Sequence, residues 1–303
     1  MMVKYIKSIL GMGTRKGRQM KGGRRWAALM VFVGLVLYPS FSGAGVYVEK
    51  LAEGRIDWSN GVVEATGVGV FPRKIANLAQ ARALATQQAR LLAVKNFLKT
   101  LKLLRIDSDH LAKDMVLKHG SLDDQLKSLV YHAAEMEAFF LPRNRVKTVI
   151  TVVTRGKLAD ILLPESIREI ERIKGGIPDK KADAPEPPEK KAFTGLVVDC
   201  RGLKVIPALV PRILDEEGNE VYGPAIVNRR DAVRKGVAGY EKKIGDALRD
   251  PRIGTNPLKV KAVRASGRKP CDIVLSNADA ERVIAAPANL GFLRSAGVIF
   301  VLD

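Results

Sequence analysis

Apolar and polar positions alternate through Arg55-Ile56-Asp57-Trp58 and again through Val62–Val70, with Ser59-Asn60-Gly61 between them. Alternation marks strands with one buried face, and Asn-Gly between two such runs is a strong hairpin signal. Gly67 and Gly69 share one face of the second strand, which predicts another backbone packed close against it. The spacing then becomes helical from about Ile75 to Leu104. The first half of that helix is alanine-rich (Ala76, Ala79, Ala81, Ala83, Ala85, Ala89) and suited to close approach to a sheet, whereas the second half carries Leu91, Val94, Leu98 and Leu101 as one stripe. Shorter helices are predicted over His110–Lys118 and Leu122–His132. A second hairpin, Met136–Leu141 and Val146–Val153, turns at Pro142-Arg143-Asn144. The sum is β-β-α-(α)-β-β, an α+β fold with a small antiparallel sheet and a long Ala-rich helix across one face.

Beyond this region the pattern weakens. Pro164–Lys174 reads as a short amphipathic helix with Ile167, Ile170 and Ile173 on one side. From Gly175 to Lys191, Pro178, Pro185, Pro187 and Pro188 alternate with charges as in an extended, mobile linker. A second mixed α/β region follows, with strands expected at Thr194–Cys200, Ala208–Leu214, Val221–Tyr222, Leu258–Ala265, Asp272–Leu275 and Val298–Leu302. Helices are expected over Ala278–Ala286 and, interrupted by Gly236, Gly239 and Gly245, over Asp231–Arg249.

The amino-terminal pattern is of a different kind. Arg24-Arg25 precedes an apolar run of thirteen residues, Trp26–Tyr38. Pro39 ends the run and small residues follow, with Ser42 and Ala44 fitting a signal-cleavage site. The run is shorter than the roughly 20 residues a spanning helix needs, so a cleaved export signal is expected in place of an anchor. Met20 offers an alternative start. No cysteine lies near the cut to carry a lipid. The expected organisation is a signal peptide over 1–44, an envelope domain over 46–163, a short helix and linker over 164–191, and a second domain over 192–303.

The signal changes how the charge is read. The chain's formal net charge is +19, but residues 1–45 hold eight Lys/Arg and no acid, leaving 43 basic against 32 acidic residues, a net +11. Aromatic residues are only 6% and do not interleave with a basic run, so the stacking platform of a nucleic-acid binder is missing. Nucleic acid is therefore not an expected partner. Lys95, Lys99 and Lys102, along one edge of the long helix, form the candidate surface for an anionic envelope component or an acidic partner; a solvated helix flank is the plainer alternative.

Candidate chemistry is sparse. Cys200 and Cys271 fit either one disulfide in an oxidising compartment or two separate buried thiols. His110, His119 and His132 have no metal-ligand spacing. Neither a complete dinucleotide fingerprint, a phosphate loop nor a nucleophile elbow occurs. Asp123/Asp124 and Glu216/Glu217 are adjacent pairs that point apart, and Asp199 and Arg201 flank Cys200 as a plausible ion pair. No catalytic residue, metal site or cofactor is expected.

The segment Gly61-Val62-Val63-Glu64-Ala65-Thr66-Gly67-Val68-Gly69, followed by alanine-spaced Ala76 to Ala85 and by Leu91-Leu92-Ala93-Val94, resembles an envelope domain. That domain is shared by small bacterial surface lipoproteins and the amino-terminal domain of flagellar assembly protein T. The resemblance covers about residues 55–155 and supplies no catalytic residues; the missing lipidation cysteine departs from the lipoprotein members. It implies an envelope location and assembly through protein–protein contacts, around flagella or other surface structures, with the chain in an oligomer or complex with other envelope proteins. The competing expectation is an exported ligand-binding protein or enzyme with a carboxy-terminal pocket near Asp199, Arg201 and Asp272.

Overall fold

The computed structural model describes residues 45–133, 135–169, 193–285 and 289–303. The fold is built from the hairpin outward. Strands β1 (Val48–Lys50), β2 (Gly54–Asp57), β3 (Val62–Val70), β4 (Glu135–Leu141) and β5 (Arg145–Val153) form one antiparallel sheet in the order β1-β2-β3-β5-β4. Helix α1 (Leu78–Lys102) starts at Asn77, whose side chain accepts the Gln80 N–H at 3.1 Å, and lies across β3 and β5. Its buried face is a row at every fourth residue, Ala81, Ala85, Ala89, Ala93, Phe97 and Leu101. Of the expected stripe, Val94 and Leu101 are buried and Leu98 packs against the core, whereas Leu91 is 59% exposed and Phe97 takes the central place. The alanines permit the close approach, and the sheet supplies the rest. A Cβ on Gly67 would overlap the backbone of Ala89, Leu92 and Ala93, and one on Gly69 the backbone of Ala85 and Ala89. The paired glycines thus let helix and strand touch, as their spacing indicates.

Helices α2 (Ala112–Lys118) and α3 (Ser121–Ala133) lead into β4, and α4 (Lys157–Leu162) follows β5. The predicted helix at Pro164–Lys174 is not formed where it is described. Pro164–Glu169 is turn and irregular chain, with Ile167 buried. Its carbonyls go elsewhere: the Arg229 guanidinium donates to Pro164 O and Ile167 O, and the Arg229 N–H donates to Arg168 O. The rest of that segment and the predicted linker to Lys191 lie outside the described residues, as does Ala44.

The carboxy-terminal region has two sheets. Strands β6 (Gly195–Asp199), β9 (Gly239–Glu241), β10 (Pro257–Lys261) and β13 (Val298–Val301) pair in parallel in the order β10-β6-β13-β9. The continuous apolar runs of β6 and β13 suit strands covered on both faces. Strands β7 (Ile213–Leu214), β8 (Glu220–Tyr222), β11 (Arg264–Ser266) and β12 (Asp272–Val274) form a smaller mixed sheet, β11-β12-β7-β8. The helices are α5 (Arg229–Lys235), α6 (Ile244–Ala247), α7 (Asn277–Ile284) and α8 (Asn289–Arg294). The predicted 231–249 helix is split at Gly236 (φ 81°), and β9 occupies its middle. Of the predicted 208–214 strand only Ile213–Leu214 is strand. Leu209 and Val210 donate instead to Arg105 O and Ile106 O in the amino-terminal region.

The described residues form one compact unit whose main core mixes residues from both regions, including Trp58, Leu104, Leu163, Val237 and Phe300. A ladder of edge-on rings, Trp58–Tyr240–Phe300, crosses it at centroid spacings of 6.0 and 5.8 Å. Arg105 clasps it: Nη2 lies 3.1 Å from Glu49 Oε1, and Nη1 donates to Pro207 O.

Candidate interaction surface

β1 and β4 are the edges of the five-stranded sheet, and β4 is the longer and more apolar of them. Its neighbour β5 forms where β-branched residues run together, and the turn between them places Arg143 and Asn144 at positive φ (61° and 54°). Register then fixes what the edge shows. Phe139 lies beside Lys147 and Val68 on the face away from α1, and Phe140 beside Val146 and Gly69 on the α1 side. Phe140 is 58% and Phe139 44% exposed, and Val68 and Val70 are exposed on the same open face as Phe139. The Arg82 guanidinium covers one side of Phe140 at 4.7 Å. Arg82, Arg143, Arg145 and Lys147 border this patch, and among the described residues none has a carboxylate within ion-pair distance. A long, apolar, unprotected edge strand invites pairing with another chain.

The other candidate residues are placed as follows. Lys99 and Lys102 pair with this chain's own Glu53 (2.7 Å) and Asp123 (3.1 Å), and Lys95 is exposed with no such partner among the described residues. Cys200 and Cys271 are free thiols, both buried. Burial pushes the Cys200 thiol far up and Cys271 up to about 12, so neither is a ready nucleophile. Asp199, Arg201 and Asp272 are not brought together. Asp199 and Arg201 pair at 2.7 Å, which holds the Asp199 carboxyl below its usual range. Asp272 pairs with Arg212 at 2.6 Å at the start of a strand in the other sheet. Of the histidines, His110 rests against Asp107 (3.0 Å). Among the described residues no cluster of three His, Cys, Asp or Glu groups has metal-binding geometry, and no helix is long and apolar enough to cross a membrane. The sequence marks Met136–Leu141 as one arm of a hairpin, but its edge position is not readable there, because strand order is a tertiary property.

One titrating group lies apart from this surface. Glu241, at the end of β9, has its pKa pushed up to about 7, first by burial and then by repulsion from Asp250, Asp246 and Asp57. An acid with a raised folded pKa stabilises the fold below its unfolded value of 4.5, and the contribution is lost as pH rises through about 7. The group keeps partial contact with solvent, so screening reduces the effect to about 1 kcal/mol. Urea unfolding of Glu241→Gln should show a flatter stability profile between pH 5 and 8 than wild type, by about that amount. Identical profiles would remove Glu241 as the cause.

Fold and surface together define an α+β protein that presents an open-edged antiparallel sheet. Residues 195–303, beginning at the first residue of β6, match the family model of the second domain of Treponema pallidum Tp0624. The similarity covers the carboxy-terminal region and not the sheet that carries the edge. None of the curated proteins matches the chain.

Proposed function

We propose that this chain is a non-enzymatic assembly protein of the bacterial cell envelope, exported to the periplasm, and that it acts by accepting an extended segment of another envelope protein along β4. The observation that carries this reading is the free β4 edge with Phe139 and Phe140 exposed. The basic border formed by Arg82, Arg143, Arg145 and Lys147, with no carboxylate partner among the described residues, selects for a segment that is both acidic and apolar. Backbone pairing would supply affinity, and alternate side chains on the two faces would supply specificity. The signal-like segment before Gly45 and the resemblance of residues 55–155 to an envelope domain of surface lipoproteins and flagellar assembly protein T support the location.

A photo-cross-linking residue at position 139 in intact cells tests the proposal. Discrete adducts to another envelope protein are expected, and they should disappear when Phe140→Glu is combined with the cross-linking residue. Exposed edge substitutions of this kind should move stability by only about 0.5 kcal/mol, so lost adducts report lost binding. Recovery of monomer alone, under conditions that trap known envelope complexes, would reject the assembly role.

A further inference from the structure

A second feature lies away from β4. A cleft of about 540 Å³, counted with the space open to solvent, is lined by Trp58 to Gly61, Thr154, Arg155 and the Lys235–Tyr240 segment, with Arg252 at one wall. Among the described residues, three cations line it and no carboxylate does. Elsewhere Arg201, Arg212, Arg230, Arg234, Arg249 and Arg282 each hold a carboxylate at 2.6 to 2.9 Å. Among the described residues, Arg155, Lys235 and Arg252 have no acid within ion-pair distance.

The arrangement is built around Arg252. Nη1 donates to Gly236 O and Ala296 O, both at 3.1 Å, and Nη2 donates to Lys235 O, which fixes the guanidinium plane. Its Nε–H has no protein acceptor among the described residues. Asp250 accepts the Arg252 backbone N–H at 2.7 Å but does not line the cleft. Burial lowers the pKa of Arg252, and the charge of Arg155 pushes it the same way. The other two cations are loosely held. Arg155 reaches Asn60 O only at 3.5 Å, and Lys235 Nζ reaches Ser295 O at 3.3 Å. Ser59 and Thr154 add hydroxyls, and Trp58, Ala159 and Leu163 give the cleft an apolar wall.

We propose that this cleft binds the phosphoryl group of a phosphomonoester, with Arg252 as the fixed donor and Arg155 and Lys235 closing on its oxygens. Planar guanidinium forks match phosphate oxygens in pairs, and three uncompensated cations suit a dianion better than a carboxylate. A bound dianion would also relieve the repulsion between Arg155 and Arg252. The apolar wall of Trp58, Ala159 and Leu163 would lie beside the organic part of the ester. The ester can be a soluble metabolite or a lipid headgroup, and the same oxygens would be held in either case.

Isothermal titration of the full chain with inorganic phosphate, glycerol phosphate and acetate provides the test, alongside flotation with vesicles of phosphatidic acid or of phosphatidylcholine. Saturable one-to-one binding of glycerol phosphate, tighter than that of acetate, is expected. Binding to glycerol phosphate but not to phosphatidic acid vesicles would indicate a soluble ligand, whereas binding to both would indicate that a headgroup is accepted; either result supports the site. Arg155→Ala and Lys235→Ala should each weaken glycerol phosphate binding roughly tenfold or more, with an unchanged unfolding midpoint. Arg252 ties down three carbonyls, so its truncation would disturb the fold and is not used. The site is wrong if phosphate and glycerol phosphate show no saturable binding, or if Arg155→Glu binds as tightly as wild type.

Discussion

Gly69→Ala is expected to destabilise the protein by about 3 kcal/mol, at the upper end of ordinary overpacking. The added Cβ would fall on the carbonyl of Ala85 and within 3.0 Å of Ala89 N, both of which are helix backbone. A flexible side chain can swing away from such an overlap, but a helix backbone can yield only by moving as a unit. Lifting α1 would open the row Ala85, Ala89, Ala93 and Phe97, all fully buried. Gly67→Ala should behave alike, because its Cβ meets the backbone of Ala89, Leu92 and Ala93. Neither glycine has positive φ, so the cost is one of space and not of backbone conformation. Gly120→Ala is the control, since a Cβ there meets nothing within 4 Å. Urea unfolding of the three variants checks this. A Gly69→Ala midpoint close to that of Gly120→Ala would mean that the helix is not seated on β3 as described.

Arg105→Ala is expected to cost about 3 kcal/mol, a loss typical of removing one partner from a largely buried ion pair. Arg105 is only 9% exposed. Its guanidinium serves Glu49 on β1 at 3.1 Å and Pro207 O in the carboxy-terminal region, and it lies 5.9 Å from the Trp58 ring centroid. Truncation leaves the half-buried Glu49 carboxylate with the Trp58 Nε1–H at 2.9 Å but no cation, and a buried carbonyl without its guanidinium donor, and water cannot fully replace the guanidinium in a packed core. Arg105→Lys keeps the charge but not the fork, so an intermediate loss is expected. Thermal unfolding of wild type, Arg105→Lys and Arg105→Ala should rank in that order. If Arg105→Ala unfolds at the wild-type midpoint, the clasp contributes nothing and the two regions are held by apolar packing and the remaining backbone hydrogen bonds.

Much of the amino-terminal region can be read from local pattern. The two hairpins, the Ala-rich helix and the close approach at Gly67 and Gly69 rest on period-two and period-four spacing and on Asn-Gly chemistry, all contained within a few residues. The leucine stripe shows the limit. Leu91 and Phe97 are both apolar, and only the position of β3 decides which of them is covered. The carboxy-terminal region was less legible for the same reason. Ala208–Leu214 has the composition of a strand, yet the acceptors for Leu209 and Val210 are carbonyls of Arg105 and Ile106, about a hundred positions earlier in the chain. The interrupted 231–249 helix carried its own warning in Gly236, but nothing local says that β9 would join a parallel sheet beside β13.

Sequence by itself determined the α+β class, the order of the main elements and the scarcity of catalytic or metal-binding spacings, because each follows from residue type and short-range periodicity. The tertiary structure alone decided that β4 is an edge, that Lys99 and Lys102 are already paired, and that Asp199 and Asp272 belong to separate ion pairs. It alone placed Arg155, Lys235 and Arg252 around one cleft. Those three lie within a span of nearly a hundred positions, and their charges meet only because the chain folds back on itself. Coulomb interaction depends on distance in space, to which local pattern is blind.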